Sequence, residues 1–98
     1  MNIIGGEKRG SKLALCASKA VRPTAQRTRE ALFNILQGGR FSLSLSEATV
    51  IDLFAGTGAI GLEALSRGAR SCVFVEQDQD ALQTLQANIT KLKLEDCA

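Results

Sequence analysis

Histidine is missing from all 98 residues, which excludes a catalytic triad built on an imidazole base. Cysteine is scarce: Cys16, Cys72 and Cys97 are the whole supply. Their odd number and the lack of any C-x-x-C spacing argue against a disulfide framework and against a zinc site. No metal is expected. Long apolar runs are lacking as well. None reaches the length of a membrane span, and the first residues have no apolar core of the kind that marks a secretory leader. A reducing cytoplasm is the simplest compartment for such a chain. Proline occurs once, at Pro23.

Net charge is small, +2, but it is unevenly spread. Residues 1–40 carry eight basic side chains against two acidic ones, a balance of +6. Residues 41–98 carry four against eight, a balance of −4. A basic arm on an acidic body suggests a polyanionic partner held by the arm. The plainer reading of the same charges is a solvated face. With 98 residues and 45% apolar content, the chain is one ordinary globular domain at most. Its core margin is thin, because so short a chain buries a modest share of its unfolded surface.

The most informative stretch runs Val50-Ile51-Asp52-Leu53-Phe54-Ala55-Gly56-Thr57-Gly58-Ala59-Ile60-Gly61. It reads as an apolar strand, a glycine turn and the start of a helix. A second apolar strand, Cys72-Val73-Phe74-Val75, ends on Glu76. Gly56 and Gly58 allow a sharp turn with bare backbone against a ligand. Gly61 allows the helix to pack close to the sheet. Glu76 follows Gly58 by 18 residues, the spacing of an acid on the next strand of a βαβ unit. Both strand ends then deliver a carboxylate to one crevice. Such a pair suits a nucleoside with free hydroxyls and a cationic tail, which points to S-adenosylmethionine. A dinucleotide fits the glycines equally well, but its pyrophosphate would meet Asp52 at the turn. The plainest alternative is a βαβ unit in which Asp52 caps the turn and Glu76 is a solvated strand end.

Other elements are coarser. Asn2-Ile3-Ile4 and Lys12-Leu13-Ala14-Leu15 suggest a β-hairpin. A polar connector, residues 16–23, leads to Thr24 as N-cap of a helix over Ala25 to Gln37. Its apolar positions are Ala31, Leu32, Ile35 and Leu36, and Gly38-Gly39 stop it. Phe41, Leu43 and Leu45 read as a covering loop. Strands are expected over Thr49 to Phe54 and Ser71 to Glu76. A helix from Gly58 to Arg67 ends at Gly68. The last helix begins near Asp78 or Asp80, with Ala81, Leu82, Leu85, Ile89 and Leu92 inward. The tail, Leu94 to Ala98, lies where a third parallel strand is expected. The chain therefore reads as a piece of a larger domain, with an open strand edge that invites self-association.

These residues resemble the N-terminal half of the bacterial 16S ribosomal RNA guanine-N2 methyltransferase family. The likeness is carried by Ile3-Ile4-Gly5-Gly6, Arg9-Gly10, Lys12-Leu13, Arg22-Pro23-Thr24, Arg27, and Arg29-Glu30-Ala31-Leu32-Phe33-Asn34-Ile35-Leu36. It continues in Asp52-Leu53-Phe54-Ala55-Gly56-Thr57-Gly58, Gly61-Leu62-Glu63-Ala64-Leu65-Ser66-Arg67-Gly68-Ala69 and Val75-Glu76. It implies an α/β fold: the N-terminal portion of a Rossmann-like S-adenosylmethionine-dependent methyltransferase, preceded by a β-hairpin and a helix. Residues 1–40 would form an RNA-contacting arm and residues 41–98 the first βαβα half of the methyltransferase domain. The implied reaction moves a methyl group to a guanine N2 of small-subunit rRNA, free or in the assembling subunit. By the same resemblance Asp52, Phe54, Ala55, Gly56 and Gly58 form the first cofactor motif. Glu76 takes the ribose, Gln77 lies near the adenine, and Thr24 and Glu30 approach the methionine end. Lys8, Arg9, Lys12 and Arg22 would contact RNA.

One departure matters. The family's catalytic motif, Asn or Asp followed by Pro-Pro and an aromatic, has no counterpart in a chain whose one proline is Pro23. Catalytic residues are therefore unassigned, and turnover by these 98 residues alone is not expected. Two other functions remain open. One is a NAD-type dinucleotide-binding oxidoreductase domain. The other is a non-catalytic RNA-binding module with a vestigial pocket.

Overall fold

A computed structural model of the protein describes residues 1–14, 26–37, 45–46 and 48–98. The connector with Cys16, Arg22, Pro23 and Thr24 lies outside the described residues, as do the Gly38-Gly39 helix stop and the segment holding Phe41 and Leu43. The element order is α1 (Gln26–Gln37), β1 (Thr49–Leu53), α2 (Ala59–Ser66), β2 (Ser71–Val75) and α3 (Gln79–Lys91). Among the described residues, β1 and β2 form one parallel pair, with Asp52 opposite Phe74 and Leu53 opposite Val75.

Strand alternation gives the pair two faces. Val50, Asp52, Cys72 and Phe74 turn toward the helices, and Cys72 belongs to the buried core with Leu62, Leu85 and Ile89. Ile51, Leu53, Val73 and Val75 lie on the other face and are exposed. The outer edge of β2 takes one bond from the tail, where the Cys72 N–H donates to Cys97 O (2.8 Å).

The α2 sequence, AIGLEALS, is apolar almost all round, and the helix is buried to match. A Cβ on Gly61 would stand 2.3 Å from Phe74 Cε1 and 2.7 Å from Cys72 Sγ, so only glycine lets α2 lie this close to β2. Gly68, at φ 111°, closes the helix as expected: its N–H donates to Leu65 O and that of Ala69 to Ala64 O. This is a Schellman ending. At the start of α3 the Asp78 carboxylate accepts from the Ala81 N–H (2.9 Å) and caps the helix. The expected inward residues Ala81, Leu85, Ile89 and Leu92 are buried, and so is Leu45.

The expected face of α1 is corrected. Ala31, Leu32 and Ile35 are exposed, whereas Arg29 and Phe33 are buried. An ion pair decides the orientation. Arg29 Nε lies 3.2 Å from Glu63 Oε1 of α2, and the Arg67 guanidinium stacks 4.8 Å over the Phe33 ring. The hairpin is present over residues 1–14, with an antiparallel bridge between Asn2 and Lys12 and with Ile3 and Leu13 in the core. It rests on the C-terminal end of α2. The Ile4 and Gly5 N–H groups donate to Glu63, and those of Glu7 and Lys8 donate to Ser66.

Candidate functional site

The site lies where β1 and β2 end. After Leu53 the chain turns through Phe54 (φ 58°), Gly56 (φ 58°) and Gly58 (φ 91°) into α2. Left-handed backbone suits glycine and is strained for phenylalanine. The Ala55 N–H donates to Val75 O (2.9 Å), and the Gly58 N–H closes the turn on Ala55 O (2.9 Å). The Phe54 side chain stands 92% exposed beside the turn.

Two carboxylates bind the backbone of this turn and of the helix start. Asp52 is buried under it, and its Oδ2 accepts from the Gly61 N–H of α2 (3.0 Å). Gly58, the N-cap of α2, has no side chain to supply that acceptor, so Asp52 supplies it from the strand. Glu76 reaches back over the turn. Its Oε1 accepts from the Gly56 N–H (2.7 Å), and its Oε2 accepts from the N–H groups of Gln77 (3.0 Å) and Asp78 (2.9 Å). Oε1 keeps acceptor capacity for a further donor.

The two acids titrate in opposite directions. Burial pushes Asp52 above its usual range, the Gly61 N–H opposes this, and the nearby Glu76 charge adds to the rise. Glu76 falls below its usual range because the Asp78 and Gly56 amides stabilise its anion. Burial, with the Asp52 charge beside it, pushes the Cys72 thiol up to about 12, so Cys72 is no nucleophile.

The structure thus brings together Asp52, Phe54, Ala55, Gly56, Gly58, Glu76 and Gln77. Glu30 is exposed on α1, and none of the turn's hydrogen bonds reaches it. Thr24 and Arg22 lie outside the described residues. In the arm, Arg9 and Lys12 are exposed and Lys8 is half-buried. Among the described residues these three form no ion pair.

Three residues that sequence reasoning left out have clear structural roles. Lys91 donates from Nζ to Lys12 O (2.8 Å) and brings another cation to the arm. Glu63, fully buried, fastens the arm to α2. Asn88, also fully buried, bonds both the arm and the turn. A signal for Asn88 existed: it is a polar residue on the apolar face of α3.

A model of the family described as Conserved hypothetical protein 95 matches residues 1–98. The chain is 44% identical over 93 residues to Ribosomal RNA small subunit methyltransferase D of Escherichia coli (strain K12), covering 95% of this chain and 44% of that protein. The protein of the same name from Haemophilus influenzae is 39% identical over 93 residues, covering 95% of this chain and 46% of its own length. The solved structure of the Escherichia coli protein yhhF superposes with a TM-score of 0.81 at 40% identity, over 97% of this chain and 48% of that one. A hypothetical protein from Thermus thermophilus superposes with a TM-score of 0.78 at 37% identity, over 96% of this chain and 51% of its own. The chain spans about half the length of the relatives it matches.

Proposed function

Since the chain belongs to the Conserved hypothetical protein 95 family, we propose that it supplies the cofactor-binding half of an S-adenosylmethionine-dependent enzyme that methylates guanine N2 in 16S rRNA. The fold agrees with this role. Its described elements form the N-terminal part of a Rossmann-like methyltransferase fold. The observation that carries the cofactor reading is the pair of carboxylates at adjacent strand ends, Glu76 bonded to the Gly56 amide of the turn and Asp52 to the Gly61 amide of the helix that follows it.

Asp52 offers a negative charge to the ammonium and sulfonium end of the ligand. Glu76 Oε1 accepts from ribose hydroxyls, Gln77 borders the adenine, and Thr24 and Glu30 serve the methionine end. A dinucleotide suits this turn poorly. Its pyrophosphate seeks the N-terminus of the following helix, and Asp52 already occupies the Gly61 amide there with a negative charge. S-adenosylmethionine supplies an activated methyl group, so the protein's task is positioning, without a nucleophile or metal.

Residues 1–40 then form the arm, in which Lys8, Arg9, Lys12 and Arg22 hold rRNA phosphates. Residues 41–98 form the cofactor half. The test incubates the full-length protein with S-adenosylmethionine and unmodified 16S rRNA or assembling small subunits, and digests the RNA for mass spectrometry. N2-methylguanosine is the expected product. Cofactor and RNA binding with no methyl transfer would favour the non-catalytic RNA-binding module. In filter binding, Lys8/Arg9/Lys12→Ala should flatten the log–log salt dependence by about one unit for each phosphate no longer held. An unchanged slope and affinity would make the arm a solvated face.

A further inference from the structure

We propose that Asn88 is a positioning residue for the cofactor turn, and that it ties that turn to the basic arm. The proposal rests on the S-adenosylmethionine reading above and adds to it the residue that holds the turn in shape. Asn88 lies on α3, 0% exposed. Its Oδ1 accepts from the Ala14 N–H (2.7 Å). Its Nδ2 donates to Ala14 O (3.3 Å) and to Thr57 O (3.1 Å). The side-chain amide thus gives Ala14 the two-way pairing that a neighbouring strand would give. With its remaining proton it grips the peptide between the two turn glycines.

The turn needs such a grip. Gly56 and Gly58 flank Thr57, and glycines leave the backbone freer than any other residue. Holding the Thr57 carbonyl sets the plane of the Thr57–Gly58 peptide. Leu85, on the same face of α3, braces the next position: a Cβ on Gly58 would stand 2.2 Å from Leu85 Cδ1. Together, Leu85 and Asn88 shape the turn from the α3 side. The polarity of Asn88 is informative in itself. Its neighbours Leu85, Ile89 and Leu92 are buried and apolar, and an unpartnered amide there would be strongly unfavourable. The position makes physical sense for asparagine only through these three bonds, two to the arm and one to the turn.

The test uses the full-length protein and three variants, Asn88→Ala, Asn88→Ser and Ile89→Ala. Ile89 is the buried neighbour on α3 and has no hydrogen-bonding side chain, so its truncation reports loss of packing alone. Affinity for S-adenosylmethionine is measured by calorimetry at a temperature where each variant is fully folded. Asn88→Ala should weaken binding about tenfold or more, while Ile89→Ala changes it less than about threefold. If Asn88→Ala does not fold, Asn88→Ser, which keeps one donor and one acceptor in the site, takes its place with the same expectation. Unchanged affinity in the folded Asn88 variant overturns the proposal, and so does equal weakening in both positions. Amide hydrogen exchange at Gly56 and Gly58 gives a readout that needs no ligand. Exchange should be faster in the Asn88 variant than in Ile89→Ala, and equal rates overturn the proposal. If the wild type binds no S-adenosylmethionine, the cofactor reading falls, and the exchange comparison still decides whether Asn88 holds the turn.

Discussion

Gly61 acts by having no side chain. Gly61→Ala places a methyl group 2.3 Å from Phe74 Cε1, so α2 or the strand must shift. Denaturant unfolding should show a loss of about 1–3 kcal/mol, the usual scale of overpacking; an unchanged midpoint would contradict the close approach of α2 to β2. The acids give a second prediction. Burial lifts Asp52 above its ordinary 3.8, so the folded state holds that proton more tightly than the unfolded chain. Ionising Asp52 therefore lowers stability as pH rises from 3.8 through the lifted value. Glu76, lowered by amide bonds from its ordinary 4.5, contributes stability above 4.5 that is lost as pH falls through its lowered value. Carbon-13 titration of the side-chain carboxyls should place Asp52 above and Glu76 below their ordinary values, and the reverse order of shifts would overturn this electrostatic picture. These residues were legible in the sequence because their roles follow from adjacent chain. Asp52 and Glu76 end apolar runs, and the glycines sit at turn spacing. Asn88 stood out only as a polar residue on an apolar face, and its role was not legible because its partner Ala14 is 74 positions away.

Among the elements, α2 links the two halves of the proposed function. Its N-terminal amide at Gly61 meets Asp52 beside the glycine turn, and its C-terminal half meets the arm through Glu63 and Ser66. Glu63 is buried with Arg29 beside it and accepts from Ile4, Gly5 and Arg67. Burial lowers the Arg29 pKa, and the Glu63 charge opposes that effect. Glu63→Ala would leave the buried Arg29 guanidinium without its counter-charge and the Ile4 and Gly5 amides without their acceptor. Thermal and denaturant unfolding of the full-length protein should show a loss of about 3–5 kcal/mol, the scale of breaking a buried ion pair. A loss within ordinary surface values, about 0.5 kcal/mol, would mean that the arm is held by other contacts. The same cluster explains why periodicity found α1 but missed its inner face. Arg29 reads as a solvent-facing charge until Glu63 is placed beside it. The α3 face was read correctly because Leu85, Ile89 and Leu92 bury by apolarity alone.

For the whole molecule, the parallel order β1–α2–β2–α3 was legible because the glycine turn and the acid spacing specify a βαβ unit. The sheet's outer face was not, since apolar strands without flanking elements do not reveal which side is covered. Ile51, Leu53, Val73 and Val75 are exposed there, with Phe54 beside them. Apolar surface of this kind, next to a strand edge, favours association. The 98-residue chain on its own should therefore sediment as oligomers or unfold with little stability. A monomer with a cooperative transition of about 5 kcal/mol or more, the low end for ordinary domains, would contradict that expectation. In the proposed function the turn between Asp52 and Glu76 receives S-adenosylmethionine. Calorimetric titration of the full-length protein with S-adenosylmethionine and, separately, with NAD decides whether it does. Saturable binding of S-adenosylmethionine, weakened by about 1.5–3 kcal/mol in Glu76→Ala, the scale of hydrogen bonds to a charged group, with no binding of NAD, is the predicted result. Binding of NAD in place of S-adenosylmethionine, or S-adenosylmethionine affinity unchanged in a folded Glu76→Ala protein, would contradict it.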